Sequence, residues 1–193
     1  MKIGVFGGTF NPPHLGHLIV AESARESLNL DKVLLIPCAS PPHKSPGALA
    51  DAHCRLEMVK LATSGNTHFE ASDLEIDRGG KSYTVDTLRA LTALYPHAGL
   101  YLLIGIDNLL DLHTWKEPEE IFGLSEVVAI NRPGFDPTNV RKDYLRRITF
   151  LRYPSIDISS SEIRRKAKMG KSIKYLVPTA VESYILKHGA YRD

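Results

Sequence analysis

The chain has 193 residues, 43% of them hydrophobic and 24% charged, with a formal net charge of +2, as expected of a single folded domain in water. No run approaches the roughly 18 uninterrupted apolar residues of a membrane span. The opening "KIGVFGG" has neither the charged leader nor the small-residue cleavage site of a secretory signal. In chain order, "KIGVFG" and "KVLLIP" are short, β-branched and almost wholly apolar, as buried parallel strands are. Between them "LGHLIVAESARESLNL" sets Leu15, Leu18, Ile19 and Leu28 at helical spacing, with Glu22, Arg25 and Glu26 on the other side. The β-α-β pattern then continues. Helices are predicted from about Asp51 to Ser64 and over "YTVDTLRALTALY", followed by a strand over "GLYLLIG". A short helical stretch at "NLLDL", a strand over "EVVAINR" and a helix near "NVRKDYLRR" come next. The last segment reads as two helices: Ser159 and Glu162 form a capping box, Gly170 stops the first helix, and Pro178 suits the first turn of the second, which runs to about Gly189.

This alternation predicts an α/β fold, Rossmann-like and doubly wound, with a mainly parallel sheet, helices on both faces and a helical C-terminal segment. The expectation is one domain over residues 1–193, its helical subregion covering about 158–193. Ligands of such sheets sit at the carboxyl ends of the strands. The loop "CASPPHKSPGALAD", just after the second strand, is long and rich in Pro and Ser, as binding loops are.

The segment "GVFGGTFNPPHLGH" concentrates special-purpose residues between a strand and a helix. It fits neither G-x-G-x-x-G nor G-x-x-x-x-G-K-[ST], which excludes the two commonest phosphate loops. What it offers is a Gly7–Gly8 turn that admits a ligand to the backbone, and His14 and His17 three apart on a helical first turn. Imidazole donors, open N–H groups and the positive helix end make an anion site, with Gly16 leaving room for a phosphate. A plain turn with two surface histidines is the alternative. A zinc pair would need a further convergent ligand. Near the other end, the helix opening at "ISSSEIR" presents hydroxyls, N–H groups and Arg164, which can fork onto phosphate oxygens. Cys38 and Cys54 lack CxxC spacing, so no disulfide framework or Cys-based zinc site is implied, and a reduced cytoplasmic compartment is expected. Charge is uneven: residues 1–131 carry 10 Lys and Arg against 16 Asp and Glu, and residues 132–193 carry 14 against 6. The basic third suits nucleic acid, a phosphorylated small molecule or solvent.

"GGTFNPPHLGH" resembles the signature of the H-x-G-H nucleotidyltransferases, and within them of the bacterial nicotinate-mononucleotide adenylyltransferases. The likeness runs through "SPPHK" (40–44), "GGKSYTVDTL" (79–88), "IGID" (104–107), "TWKEPEEI" (114–121), "NRPG" (131–134) and "ISSSEIR" (158–164), in that family's order. It implies transfer of the AMP part of ATP to nicotinate mononucleotide, with release of pyrophosphate, in NAD synthesis. It makes His14, His17 and Arg164 the catalytic groups, the histidines acting as donors to the ATP phosphates. ATP would be lined by Gly7, Gly8, Thr9, Phe10, Gly105, Asp107, Ile158, Ser159, Ser160 and Ser161. Gly105 admits the adenine and Asp107 accepts from the ribose hydroxyls. The mononucleotide falls to Trp115 as stacking partner, Thr84 beside the nicotinate carboxylate, and Lys44, Arg132 and Asn11 at the phosphate. Where the family more often has threonine this chain has Ser161, and where it has a small residue this chain has Ile106. Mg²⁺ is expected on the ATP phosphates, with no metal held by protein side chains. The partners implied are small molecules, with neither nucleic acid nor membrane, and a homo-oligomer is left open.

Because the attacking phosphate monoester is already mostly dianionic at neutral pH, the reaction needs no general base and no nucleophilic Ser or Cys. It needs two polyanions aligned and the charge on the α-phosphate and pyrophosphate stabilised. The same chemistry on nicotinamide mononucleotide or phosphopantetheine is the nearest alternative. Chains acting on phosphopantetheine are expected to lack the "SYTVDTL" and "TWKEPEEI" blocks. A nucleic-acid-binding module using the basic third would interleave aromatic residues with the charges, which "RRKAKMGKSIK" does not. A regulator that binds nucleotide without turnover would have little need of an intact H-x-G-H and Arg164.

Overall fold

The short apolar runs do form strands, and every strand pair is parallel. The computed structural model describes residues 1–41, 49–131, 140–152 and 156–192, apart from the side chains of Asn131 and Arg152. In order, the elements are β1 (Lys2–Gly8), α1 (Leu15–Leu28), β2 (Lys32–Pro37), α2 (Ala52–Thr63), β3 (Phe69–Ala71), α3 (Leu74–Arg78) and α4 (Thr84–Leu94). Then come β4 (Gly99–Gly105), α5 (Ile106–Asp111), a 3-10 turn over Leu112–Thr114, α6 (Pro118–Leu124) and β5 (Glu126–Asn131). The chain continues through α7 (Lys142–Leu145), β6 (Ile148–Arg152), α8 (Ser160–Lys168) and α9 (Thr179–His188). The sheet order β3-β2-β1-β4-β5-β6 is the doubly wound arrangement, with its switch point between β1 and β4.

Strand alternation sorts the apolar side chains onto two faces. Ile3, Val5, Leu34, Ile36, Leu102, Ile104, Val127 and Ala129 face α4, α5 and α6 through Val85, Leu88, Leu109 and Ile121. Val33, Leu35, Leu103, Val128 and Ile130 face α1 and α2 through Val20, Ala21, Ala24 and Val59. A third core joins the C-terminal helices to the domain: Met58 and Ala62 of α2 pack with Ile163 and Ala167 of α8 and Val181 and Ile185 of α9. That packing holds the "ISSSEIR" segment beside the opening loop.

The structure adds elements that periodicity alone does not reveal. β3 is a three-residue edge strand, too short to alternate, and is recruited by pairing to β2. "ITFLR" becomes β6, whereas the helix expected over "NVRKDYLRR" contracts to the single turn of α7. Pairing with β5 buries Leu151 in the second core. α6 begins at Pro118, which suits a first turn. Pro178 is the N-cap of α9 rather than a residue of its first turn.

Candidate active site

Parallel strands place all their carboxyl ends on one edge, so the segments that follow β1 and β4 start side by side there. At the switch point between β1 and β4 lies a cavity of about 830 Å³. Gly7, Gly8, Thr9, Phe10, Asn11, His14 and His17 line it from the opening loop, Gly105 and Asp107 from the end of β4, and Ile158, Ser159, Ser160, Ser161 and Arg164 from the start of α8. The expected catalytic and ATP-binding residues therefore share one cavity, although Arg164 and His14 are 150 positions apart.

The loop's shape follows from close packing around two glycines. Phe10 adopts φ 47° and is buried. Its ring lies 3.2 Å from where a Cβ on Gly8 would stand. A Cβ on Gly16 would meet the His14 ring at 3.1 Å from Nδ1 and 3.2 Å from Cε1. The glycine of H-x-G-H thus makes room for a histidine, a reason separate from room for a phosphate. At Gly7 and Gly105 a Cβ would meet no atom within 4 Å, so the backbone there is open to the cavity.

His14 caps α1 and is 7% exposed. Its ring stacks on that of His17 with centroids 3.6 Å apart and planes 24° apart. The His17 ring also meets the edge of Phe10 at 5.0 Å. The His14 backbone N–H donates to His17 Nδ1 at 3.1 Å, which assigns the proton of neutral His17 to Nε2. Burial lowers the His14 pKa to about 4. Burial, followed by the neighbouring His14, holds His17 well below its ordinary value. Both rings are therefore neutral at pH 7 without a ligand. Among the described residues no hydrogen bond to the buried His14 Nδ1 is formed, although the ring faces the His17 backbone in the capping box that opens α1.

Among the described lining residues Arg164 is the permanent cation. It donates to the Asn11 carbonyl at 2.9 Å and to Ser161 Oγ at 3.2 Å, which aims the guanidinium along the cavity wall. Ser159 Oγ accepts from the Glu162 N–H at 3.2 Å, so the expected cap forms. The expected return bond from Glu162 gives way to an ion pair with Arg165. Ser160 Oγ donates to the Pro12 carbonyl at 2.9 Å and ties α8 to the opening loop. All three serine hydroxyls thus have protein partners in the ligand-free chain.

Thr84 and Trp115 do not line this cavity. Thr84 opens α4, and Trp115 packs half-buried against the first core. Their neighbours bring them together: Lys116 pairs with Asp86 at 3.0 Å and lies 5.1 Å over the Tyr83 ring. The start of α4 also joins the end of β2, as the Ala39 N–H donates to Ser82 Oγ at 3.0 Å. Lys44 and Arg132 lie outside the described residues.

Sequence reasoning passed over Arg55, Asn108 and Tyr191. Asn108 lines the cavity next to Asp107. Arg55, on α2, is 1% exposed, and its described partners are the carbonyls of Thr9 (2.9 Å), Ala50 (3.0 Å) and Ala39 (3.3 Å) and the Cys38 sulfur (3.8 Å). It links the opening loop to both ends of the loop after β2. Tyr191 donates to Asn11 Oδ1 at 2.8 Å. Nothing in "AHCRLEM" or "GAYRD" marks either residue; an arginine four residues after a helix cap reads as a solvated side chain.

Neutral imidazoles, a forked arginine and open glycine backbone meet at the switch point of a doubly wound sheet, the place where such sheets take a ligand. The description cytidylyltransferase-like matches residues 5–166. A relative in Desulfitobacterium hafniense, named probable nicotinate-nucleotide adenylyltransferase, is 45% identical over 99% of this chain and 96% of its own length. One of the same name in Thermus thermophilus is 47% identical over the full length of both. A solved structure of Plasmodium falciparum nicotinic acid mononucleotide adenylyltransferase complexed with NaAD shares the fold, with TM-score 0.80 at 22% identity over 98% of this chain and 97% of that one. The chain belongs to the nicotinate-nucleotide adenylyltransferase family of nucleotidyltransferases.

Proposed function

We propose that the chain joins nicotinate mononucleotide to the AMP part of ATP, giving nicotinate adenine dinucleotide and pyrophosphate. The observation that carries this reading is the meeting of His14, His17 and Arg164 around one cavity whose floor is the open backbone of Gly7 and Gly105. ATP enters with its adenosine toward Gly105 and Asp107 and its phosphates toward the two histidines and the start of α8. His17 donates from Nε2 to the α-phosphate, where charge develops as the mononucleotide phosphate attacks in line. The bond from the α-phosphorus to the bridging oxygen breaks, and pyrophosphate leaves with that electron pair toward Arg164. No proton need be removed from the nucleophile, and the site is accordingly built from donors. Neutral histidines held by packing suit that role, because their N–H groups need little reorganisation as charge shifts.

Mg²⁺ belongs to this proposal as part of the ATP substrate, offsetting charge on the departing phosphates. Asp107 is the carboxylate among the described residues lining the cavity, and among the described residues no group of three or more His, Cys, Asp or Glu could hold a metal ion. Asn11, with Lys44 and Arg132, is assigned to the mononucleotide phosphate, and Thr84 and Trp115 to its ring. Free Cys38 and Cys54 suit a reducing cytoplasm. No described helix is long and apolar enough to cross a membrane.

The test is pyrophosphate release with ATP and Mg²⁺, comparing nicotinate with nicotinamide mononucleotide. Turnover favouring the acid is expected. Equal turnover would keep the reaction and remove the acid preference, and no release with either would overturn the proposal.

A further inference from the structure

Arg55 is the largest of the fully buried side chains among the described residues. It does not line the cavity, yet Thr9, whose carbonyl it holds, and Leu49, next to Ala50, both do. We infer that Arg55 is a positioning residue for the transfer reaction. Its guanidinium fixes the opening loop, through the Thr9 carbonyl, against both ends of the loop after β2, through the carbonyls of Ala39 and Ala50. The inference rests on the proposed function, which sets ATP and the mononucleotide phosphate on these loops.

Packing alone does not call for an arginine at this position. Arg55 shares the inward side of α2 with Val59, one turn further on, which packs in the second core. Methionine or leucine would fit that pattern. A permanent cation must instead shed its water to be buried there, and among the described residues no carboxylate pairs with it. It also stands fourth in α2, close to the positive end of the helix dipole. Both features oppose folding, and a residue that breaks local rules points to function.

What the guanidinium offers is a rigid plane with donors on several sides. Nε reaches Ala50 at 3.0 Å, Nη1 reaches Thr9 at 2.9 Å and Nη2 reaches Ala39 at 3.3 Å. Two further bonds join the same loops, from the Cys38 N–H to the Gly8 carbonyl at 2.9 Å and from the Ala50 N–H to Asn11 Oδ1 at 3.2 Å. Each of those ties one pair of residues, whereas Arg55 sets three segments relative to one another. In-line transfer depends on that setting, because a misplacement of about 1 Å between reacting groups can cost a hundredfold in rate. Loss of the fork should therefore be read in kcat more than in either KM.

Arg55→Lys, Arg55→Met and a destabilised control in the first core, Leu91→Ala, are compared with the native chain by kcat, KM for each substrate and Tm, with kinetics run well below each Tm. Arg55→Lys keeps the charge and loses the fork. Its kcat is expected to fall about tenfold, and that of Arg55→Met about a hundredfold, with each KM within about threefold of native. Leu91→Ala should lower Tm and keep kcat within about twofold. A native kcat in Arg55→Lys would overturn the inference even where Arg55→Met does not fold. So would an effect confined to KM, a loss of kcat in Leu91→Ala as large as in the Arg55 variants, or failure of both Arg55 variants to fold, which would make the residue a structural requirement. Absence of turnover by the native chain would refute the proposed function and this inference with it, whereas native turnover with unaltered Arg55 variants would refute the positioning role alone.

Discussion

Replacing Gly16 with alanine should separate stability from catalysis. The new Cβ would stand 3.1 Å from His14 Nδ1 and 3.2 Å from Cε1, with Ile158 Cβ at 3.7 Å behind it. Carbon contacts are comfortable at about 3.5–4.0 Å, so the ring must retreat by roughly 0.3–0.6 Å. It cannot retreat alone, because the His17 ring is stacked on it at 3.6 Å and is hydrogen-bonded to the His14 backbone. Alanine in the first turn of α1 gains up to about 1 kcal/mol over glycine, while overpacking costs about 1–3 kcal/mol. The net loss of stability is then at most about 3 kcal/mol, or a fall in Tm of no more than about 12 °C. Positioning is more sensitive, since a misplacement of about 1 Å can cost a hundredfold in rate. A fall in kcat of about tenfold is expected in a steady-state pyrophosphate assay, with Tm read on the same preparation. The matched control is Gly7→Ala, where the methyl enters open cavity; there KM for ATP should rise and kcat should change little. A Gly16→Ala variant that keeps kcat within twofold would refute the argument that the His14 ring position governs the reaction.

His14 titrates near 4 in the fold against an ordinary 6.5, so on acidification the unfolded chain binds the proton first. Stability should be level above about pH 7, decline between 6.5 and 4 and flatten below, with about 2 kcal/mol lost by pH 5. His17 adds in the same direction. The urea midpoint should fall less from pH 7.5 to 5 in His14→Asn than in the native chain, and equal falls would refute a buried neutral ring. Carboxylates such as Glu22 and Asp86, held below their ordinary values by Arg25 and Lys116 respectively, lose their contribution only below about pH 4.5 and do not confuse the comparison. Arg55→Met strips the donor from three carbonyls around the site and should destabilise the chain by about 3–5 kcal/mol in urea unfolding. A loss under about 1 kcal/mol would show that water replaces the guanidinium. Arg164→Lys keeps the charge and loses the fork to Asn11 and Ser161. It should lower kcat roughly ten- to a hundredfold at nearly unchanged Tm, and a change within twofold would remove Arg164 from the transition state.

The sheet was legible because a fully buried strand must be apolar almost throughout. "KIGVFG", "KVLLIP", "GLYLLIG" and "EVVAIN" leave little else to read, and parallel pairing follows from the helices between them. Edge strands escape that logic. Phe69–Ala71 and Ile148–Arg152 are defined by what they pair with, and nothing within three or five residues records the partner. The same division runs through the site. His14, His17 and Gly16 announce themselves because a helix N-terminus brings them together within four residues, whereas Arg55 reaches Thr9 across 46 positions and Tyr191 reaches Asn11 across 180. Each of these is an unremarked residue type on an ordinary element, and its importance comes from the third core, which presses α2, α8 and α9 against the opening loop. α8 therefore forms part of the cavity wall, and Arg164 ties it to Asn11 of the opening loop. A change that loosens α8 should be read in substrate affinity before it is read in the stability of the sheet.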